Sequence, residues 1–493
     1  MPWKPLDRTA WAVLAATMAI AAALTLPRVV WAICLDDPGE FQVAAAVGGI
    51  GHPPGHAGLV SLMRLCCIAL PLPPHLTVSG LNALFSLSVV ALLALLIVRL
   101  GGHPVAAGVA ALLFLLDNEF WHLTLLPEVY GTCMMLYAGG VYLFLSWSHD
   151  RRSWKFFVAF AMHVFLIANR APTIGLIAPW TITLLLDSGA RREIRKRPVT
   201  IPFVLFAITV AAALIVVLGV WFRDVPDSAY NYMDLVNAGE FDYPSGNASV
   251  ADKWRRLWWL LSARQFDYMF HPTPATIRAQ AIWLLSELGI RRFDYVAGGI
   301  AFAACAAVVL GVLSLARRNR PAAVFLLLLM AASVVPILLI RVISHTALLP
   351  SLLFPLMILF GIGLSRLMAL HSSLAWKAAP LLAVGASVWW TADASLLEGK
   401  DHYSGEEFVA EVDLPSLPPD AVLLTTFDAL ALKYTQEVLG VRRDVTLLHA
   451  IGRLNRDYLE SVDRPVFTTA EPLPPGLNAD LVGNGTVKQI RLR

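Results

Sequence analysis

Residues 11–34, WAVLAATMAIAAALTLPRVVWAIC, run without a break into Leu35-Asp36-Asp37-Pro38-Gly39-Glu40-Phe41. The first stretch holds 24 residues with Arg28 as its one charge, and about 20 apolar residues suffice to cross a hydrocarbon core as a helix. The second stretch sets three carboxylates within five positions, directly after that span. Lys4 and Arg8 come before it, so the positive-inside bias predicts a cytoplasmic N-terminus and an acidic loop on the far side. Further spans follow, so the segment reads as an uncleaved anchor rather than a signal peptide.

Ten more apolar segments lie at 76–100, 105–116, 129–147, 156–168, 173–186, 201–222, 296–315, 322–340, 348–367 and 378–391. With about eleven spans, the cytoplasmic loops hold Gly101-Gly102-His103, then Arg151, Arg152 and Lys155, then Arg191, Arg192, Arg195, Lys196 and Arg197. Arg317, Arg318 and Arg320 come next, followed by a stretch bounded by Arg366 and Lys377. All but the first are basic and short, so the parity holds from end to end. Composition agrees: the chain is 57% hydrophobic and 15% charged, with a mean hydropathy of +0.65, where soluble proteins carry about 25% charged residues. A net charge of +3 gives no reason to expect a nucleic-acid partner. Cys34, Cys66, Cys67, Cys133 and Cys305 form no C-x-x-C pair and read as apolar filler.

The fold class expected is an all-α polytopic membrane protein, residues 1–391, with a small C-terminal α/β domain outside the cytoplasm, residues 392–493. Two outer segments interrupt the spans. The first covers 35–75; the second, 223–292, is rich in aromatics (Trp254, Trp258, Trp259, Phe266, Tyr268, Phe270, Trp283), which suits amphipathic helices in the interface. In the tail, strands are expected at 421–427, 444–449 and 466–469, with helices at 428–439 and 454–462, an alternation that suggests βαβ connections.

Chemistry concentrates in the first outer segment. Desolvating acids is costly, so a chain poor in charge has little general use for Asp36, Asp37 and Glu40 there. One role is structural: Asp37 can N-cap a helix, with Pro38 at its first position and Glu40 closing a capping box. Capping and catalysis are compatible, and Asp36 is then the spare acid. His52-Pro53-Pro54-Gly55-His56 has metal-pair spacing, but the prolines and glycine oppose the helix such a pair needs. The imidazoles then either face an anionic substrate from a rigid loop or are plain loop residues. A transporter or flippase would place polar groups at mid-membrane, whereas these acids sit at one outer edge. A scaffold binding partners through its tail leaves the acidic loop unexplained.

The stretches Asp37-Pro38-Gly39-Glu40-Phe41 and Gly51-His52-Pro53-Pro54-Gly55 resemble the signature of the protein O-mannosyltransferase-like family of the C-type (GT-C) glycosyltransferase superfamily. Pro127-Glu128-Val129-Tyr130, Leu349-Pro350 and the tail (Leu417-Pro418-Pro419-Asp420-Ala421, Phe427-Asp428, Tyr434, and 440–445, GVRRDV) agree with it. The chain departs from the pattern at Pro38, where the family usually has Ser, and at His56, where it has Tyr. It departs again at Asn169-Arg170, where a His is frequent, and at Phe427, where a Gly commonly precedes the acid.

The resemblance implies a GT-C-like fold and transfer of a sugar, mannose among the candidates, from a polyprenyl-phosphate-linked donor. The acceptor is a hydroxyl, whether Ser or Thr of a protein or a hydroxyl on lipid or glycan. By match Asp37 is the essential acid, with Glu40 beside it. Attack on an anomeric carbon needs a base on one side and stabilisation of the departing phosphate on the other. Asp37 is the expected base, acting in a single inverting displacement. Arg170 and Arg341 are candidates for the phosphate, with His52, His56, Glu128, Tyr130 and Asn169 as further substrate contacts. The need for a cofactor stays open: Asp37 and Glu40 suit a divalent cation such as Mg or Mn, and some relatives in the superfamily need metal while others do not. A bacterial inner membrane with a periplasmic site is the expected location.

Overall fold

A computed structural model of the chain describes residues 6–225, 228–236, 249–270, 272–287, 295–340, 348–370, 404–426, 429–449, 460–469, 479–483 and 486–492. Ten of the eleven expected spans coincide with helices, from Arg8–Thr25 and Pro74–Arg99 through Thr200–Arg223 to Leu349–Leu370. The eleventh, 378–391, lies outside the described residues.

Among the described residues five helices are long and apolar enough to cross a membrane, or up to seven if each of two bent pairs is one span. The bends are 72° between Pro104–Leu115 and Asn118–Leu125, and 89° between Thr173–Leu186 and Ser188–Lys196. Each bend sits at an aspartate that caps the next helix. Asp117 accepts from the Phe120 N–H at 3.2 Å, and Asp187 from Gly189 and Ala190 at 2.8 and 3.1 Å. A side-chain oxygen there satisfies amide groups that have no partner inside the helix.

Pro74–Arg99 and Leu349–Leu370 are largely enclosed, and their Val, Leu, Ile and Ala side chains build the core. Thr200–Arg223 turns Phe203, Phe206, Leu214, Leu218 and Phe222 outward. Phe203 and Phe206 are each 67% exposed, an arrangement with lipid rather than water as its solvent. This is an integral membrane protein. Loops at this end meet in pairs: Arg151 pairs with Asp187 at 2.6 Å, and the His103 N–H donates to Ser365 at 2.7 Å. The opposite helix ends carry the acidic loop.

In the tail, β1 (Val422–Thr425), β2 (Thr446–His449) and β3 (Val466–Thr468) are parallel, as the alternation predicted. A hairpin not read from sequence, β4 (Ala479–Val482) and β5 (Lys488–Leu492), completes a sheet of order β2-β1-β3-β5-β4. The helix Ala429–Glu437 buries Leu430, Leu432 and Tyr434 and packs on the helix that carries the acidic motif. The Tyr434 hydroxyl accepts from the His75 N–H at 3.3 Å and bonds its Nδ1 at 2.9 Å. The expected helix at 454–462 lies mostly outside the described residues.

Candidate active site

The acidic motif opens the helix Asp36–Val47. The expected cap is not formed: Leu35 occupies the N-cap position and no side chain closes it. The backbone enters through Asp36 at φ +52°, so Asp37 falls inside the first turn instead of before it. Gly39 is required here, because a Cβ would collide with the Cys34 carbonyl. Gln42 fixes the approach by accepting from the Cys34 N–H at 2.9 Å and donating to the Ala32 carbonyl at 3.0 Å.

Freed from a capping box, Glu40 is fully buried and looks across the first loop. Its Oε1 accepts from the His52 N–H at 2.8 Å and from the Tyr230 hydroxyl at 2.7 Å, and its Oε2 pairs with His52 Nδ1. Asp37 Oδ1 lies 3.8 Å from the same nitrogen, yet its side chain is 48% exposed. Burial pulls the His52 proton affinity down, but the charges of Asp37 and Glu40 outweigh it and raise the ring to about 10. His52 is therefore an imidazolium at neutral pH.

His56 is the left-handed residue that starts the helix Ala57–Ala69. It is buried, its ring centroid is 5.3 Å from that of His52, and its Nδ1 makes no hydrogen bond. Burial first, then the positive charges of His52 and Arg170, hold it well below the usual imidazole range. It is neutral beside its charged neighbour.

Glu128 and Tyr130 reach the same place because Asn82 anchors the turn before them. Its side-chain amide donates to the Leu123 and Leu126 carbonyls at 2.7 and 2.6 Å, and its Oδ1 accepts from Gly131 at 3.2 Å. Burial and the nearby Asp37 charge push the Glu128 carboxyl up to about 8, with His52 opposing. Arg170 stacks over Tyr130 at 4.8 Å and is nine-tenths buried. Among the described residues no carboxylate forms an ion pair with it. Asn169 is spent on structure, accepting from the Gly58 N–H at 2.9 Å and donating to the Phe165 carbonyl at 2.8 Å.

The expected residues Asp37, Glu40, His52, His56, Glu128, Tyr130 and Arg170 are thus brought together, and Asp36 stands at the edge. Arg341 lies outside the described residues. Sequence reading missed Tyr230 and Tyr232; the Tyr232 ring is 6.0 Å from His52. Asp37, Glu40 and His52 also present ligand atoms all within 4.8 Å of one another, a set a divalent cation could share. Two carboxylates and an imidazole suit Zn or Mn better than Mg, and an ion there would compete with the Glu40–His52 pair.

Residues 37–169 match the family model for the protein O-mannosyl-transferase TMEM260 N-terminal domain. No curated protein matches the chain. Among solved structures, ArnT from Cupriavidus metallidurans bound to undecaprenyl phosphate is similar over 98% of both chains, with a TM-score of 0.54 and 13% identity. The oligosaccharyltransferase of Archaeoglobus fulgidus, in complex with Zn and sulfate, has a TM-score of 0.50 at 13% identity. The match covers 88% of this chain and 62% of that one, so the chain spans less than two thirds of that enzyme's length. The structural likeness establishes the fold, and the motif-bearing match from Asp37 to Asn169 adds the chemistry. Residues 37–169 are thus similar to a protein O-mannosyl-transferase domain, the chain shares the fold of these membrane-bound transferases, and it is a glycosyltransferase.

Proposed function

We propose that the enzyme transfers a sugar from a polyprenyl-phosphate-linked donor to a hydroxyl acceptor at the extracytoplasmic face, with inversion. One observation carries this reading: an accessible carboxylate, Asp37, stands beside a buried imidazolium–carboxylate pair and a buried guanidinium, Arg170, that forms no ion pair with an acid among the described residues. In the step, the acceptor oxygen forms a bond to the anomeric carbon as that carbon's bond to the phosphate oxygen breaks. The hydroxyl proton passes to Asp37, and polyprenyl phosphate leaves. Arg170 and His56 receive the phosphate, the guanidinium by charge and the imidazole through its open Nδ1. Glu40 fixes His52, whose positive charge faces Asp37. Tyr130 supports Arg170, and Glu128 borders the acceptor side. No step is routed through a metal ion.

The undecaprenyl phosphate bound by ArnT supports a donor of that class. The acceptor is a protein Ser or Thr by family analogy, and lipid or glycan hydroxyls are the alternative. Eleven spans, a cytoplasmic N-terminus and a bacterial inner membrane with a periplasmic tail complete the proposal. The test is transfer from radiolabelled undecaprenyl-phosphate-mannose by detergent-solubilised enzyme, which needs no sealed vesicle. Label that stays on the lipid with every hydroxyl acceptor contradicts it.

Arg170→Gln removes the charge while keeping a donor group. A hydrogen bond to a charged partner contributes about 1.5–3 kcal/mol, so donor KM should rise about 10- to 100-fold in steady-state assays, and an unchanged KM removes Arg170 from the phosphate site.

A pH dependence follows from His52. Its folded affinity for a proton is above its unfolded value of 6.5, so the stabilisation is complete below about that pH and is lost as pH rises through about 10. The thermal midpoint of the wild type should exceed that of Glu40→Gln most near pH 6.5, with the gap closing towards pH 10. A gap that does not change with pH contradicts the charged pair.

A further inference from the structure

Arg256 looks like a surface charge in Lys253-Trp254-Arg255-Arg256-Leu257-Trp258, yet it is completely buried. It projects from the helix Val250–Leu261 and grips two acids from different segments. Its Nε reaches both Asp224 oxygens at 3.0 and 3.1 Å, and its Nη2 reaches Asp224 at 2.9 Å and Asp234 at 2.7 Å. Asp224 closes the membrane helix Thr200–Arg223 and also accepts from the Asn231 side chain at 2.8 Å. The guanidinium therefore ties a span end, an amphipathic helix and the segment 230–236 into one unit.

That segment reaches the catalytic loop. The Ile50 N–H donates to the Tyr230 carbonyl at 3.2 Å, and the Tyr232 N–H donates to the Ile50 carbonyl at 3.0 Å, forming a parallel bridge between Ile50 and Asn231. The approach is close enough that a Cβ on Gly49 would lie 2.6 Å from the Tyr230 carbonyl. The bridge sets Tyr230 on Glu40 and Tyr232 on His52, and Gln265 holds the Tyr232 hydroxyl at 2.7 Å. A packed network with fixed geometry transmits a displacement rather than absorbing it.

We propose that Arg256 and Tyr230 are positioning residues for the transfer reaction: the Asp224–Arg256–Asp234 clamp holds the 230–232 segment against Ile50, and Tyr230 thereby holds Glu40 and His52 in their reactive arrangement. The inference rests on the transfer reading given above for its kinetic meaning, but its geometry stands apart from it. Neither residue touches substrate. Both act through the Glu40–His52 pair, and small misplacements of a reacting constellation cost rate more than binding.

The test is a double-mutant cycle with Tyr230→Phe, Arg256→Lys and both together, assayed with radiolabelled undecaprenyl-phosphate-mannose. Each single variant should lower kcat about 10- to 100-fold with donor KM within about twofold, the signature of lost geometry rather than lost binding. The double variant should be about as slow as the slower single one, because both act through one contact. Multiplying effects, or a fall in yield with unchanged kcat per folded enzyme, overturn the proposal. Hydrogen–deuterium exchange gives an independent readout: Arg256→Lys should lose protection at 49–52 and 230–234. Unchanged protection there overturns the clamp. If the wild type transfers no label while Arg256→Lys loses that protection, the transfer reading fails and the positioning of the loop stands.

Discussion

Asp37→Asn is expected to lower the transfer rate by about 10³-fold, in the range typical of losing a positioned general base, while yield and thermal midpoint stay at wild-type values. The separation follows from the geometry. The Asp37 side chain is 48% exposed, caps no helix and stands 3.8 Å from His52 Nδ1, its ion-pair partner among the described residues. Its removal leaves no buried group stranded, because Glu40 continues to hold the imidazolium. The amide keeps the size of the carboxylate but cannot take the acceptor proton. Steady-state assays beside thermal unfolding in detergent decide it. A variant that is active, or inactive only because it unfolds, contradicts the base assignment.

Glu40→Ala is expected to do the opposite in kind, lowering stability first. Glu40 is buried and satisfies the His52 N–H, the His52 ring and the Tyr230 hydroxyl. Removing one partner of a buried pair strands the other, at a cost of about 3–5 kcal/mol. Thermal midpoint and yield should both fall clearly, with transfer lost in whatever folds. Glu40→Gln can still accept from Tyr230 and should lose less. An unchanged midpoint in Glu40→Ala would mean that the carboxylate is solvated and the buried pair does not exist.

The helices were legible because lipid solvation forces long uninterrupted apolar runs, and those runs largely coincide with helices among the described residues, although the first, expected to reach Cys34, leaves the α-helix at Thr25 and is not helical over 29–34. The three parallel strands were legible for a related reason: Val422, Leu423 and Leu424 are buried and carry the continuous apolar pattern of such strands. The hairpin Ala479–Val482 and Lys488–Leu492 escaped because strands this short, with Asp, Lys, Gln and Arg among their few residues, look like coil. In the site, the clustering of Asp36, Asp37 and Glu40 could be read, but the job of Glu40 could not. Its bond to Tyr230 spans 190 residues, and no local spacing rule reports such a contact.

The capping box failed for a comparable reason, since a left-handed Asp36 displaced the helix start and a tertiary partner claimed Glu40. Arg256 inverts hydropathy altogether: it is buried while Trp258 on the same helix is 66% exposed. At a membrane interface tryptophan is at home on the surface, whereas an arginine is drawn to paired carboxylates inside.

A structure of the enzyme with bound undecaprenyl phosphate is the most direct measurement. The account predicts the phosphate within hydrogen-bond distance of the Arg170 guanidinium and the His56 ring, with the Asp37 carboxylate across from it on the acceptor side. A phosphate bound elsewhere, or an Asp37 side chain directed away from it, would contradict the account.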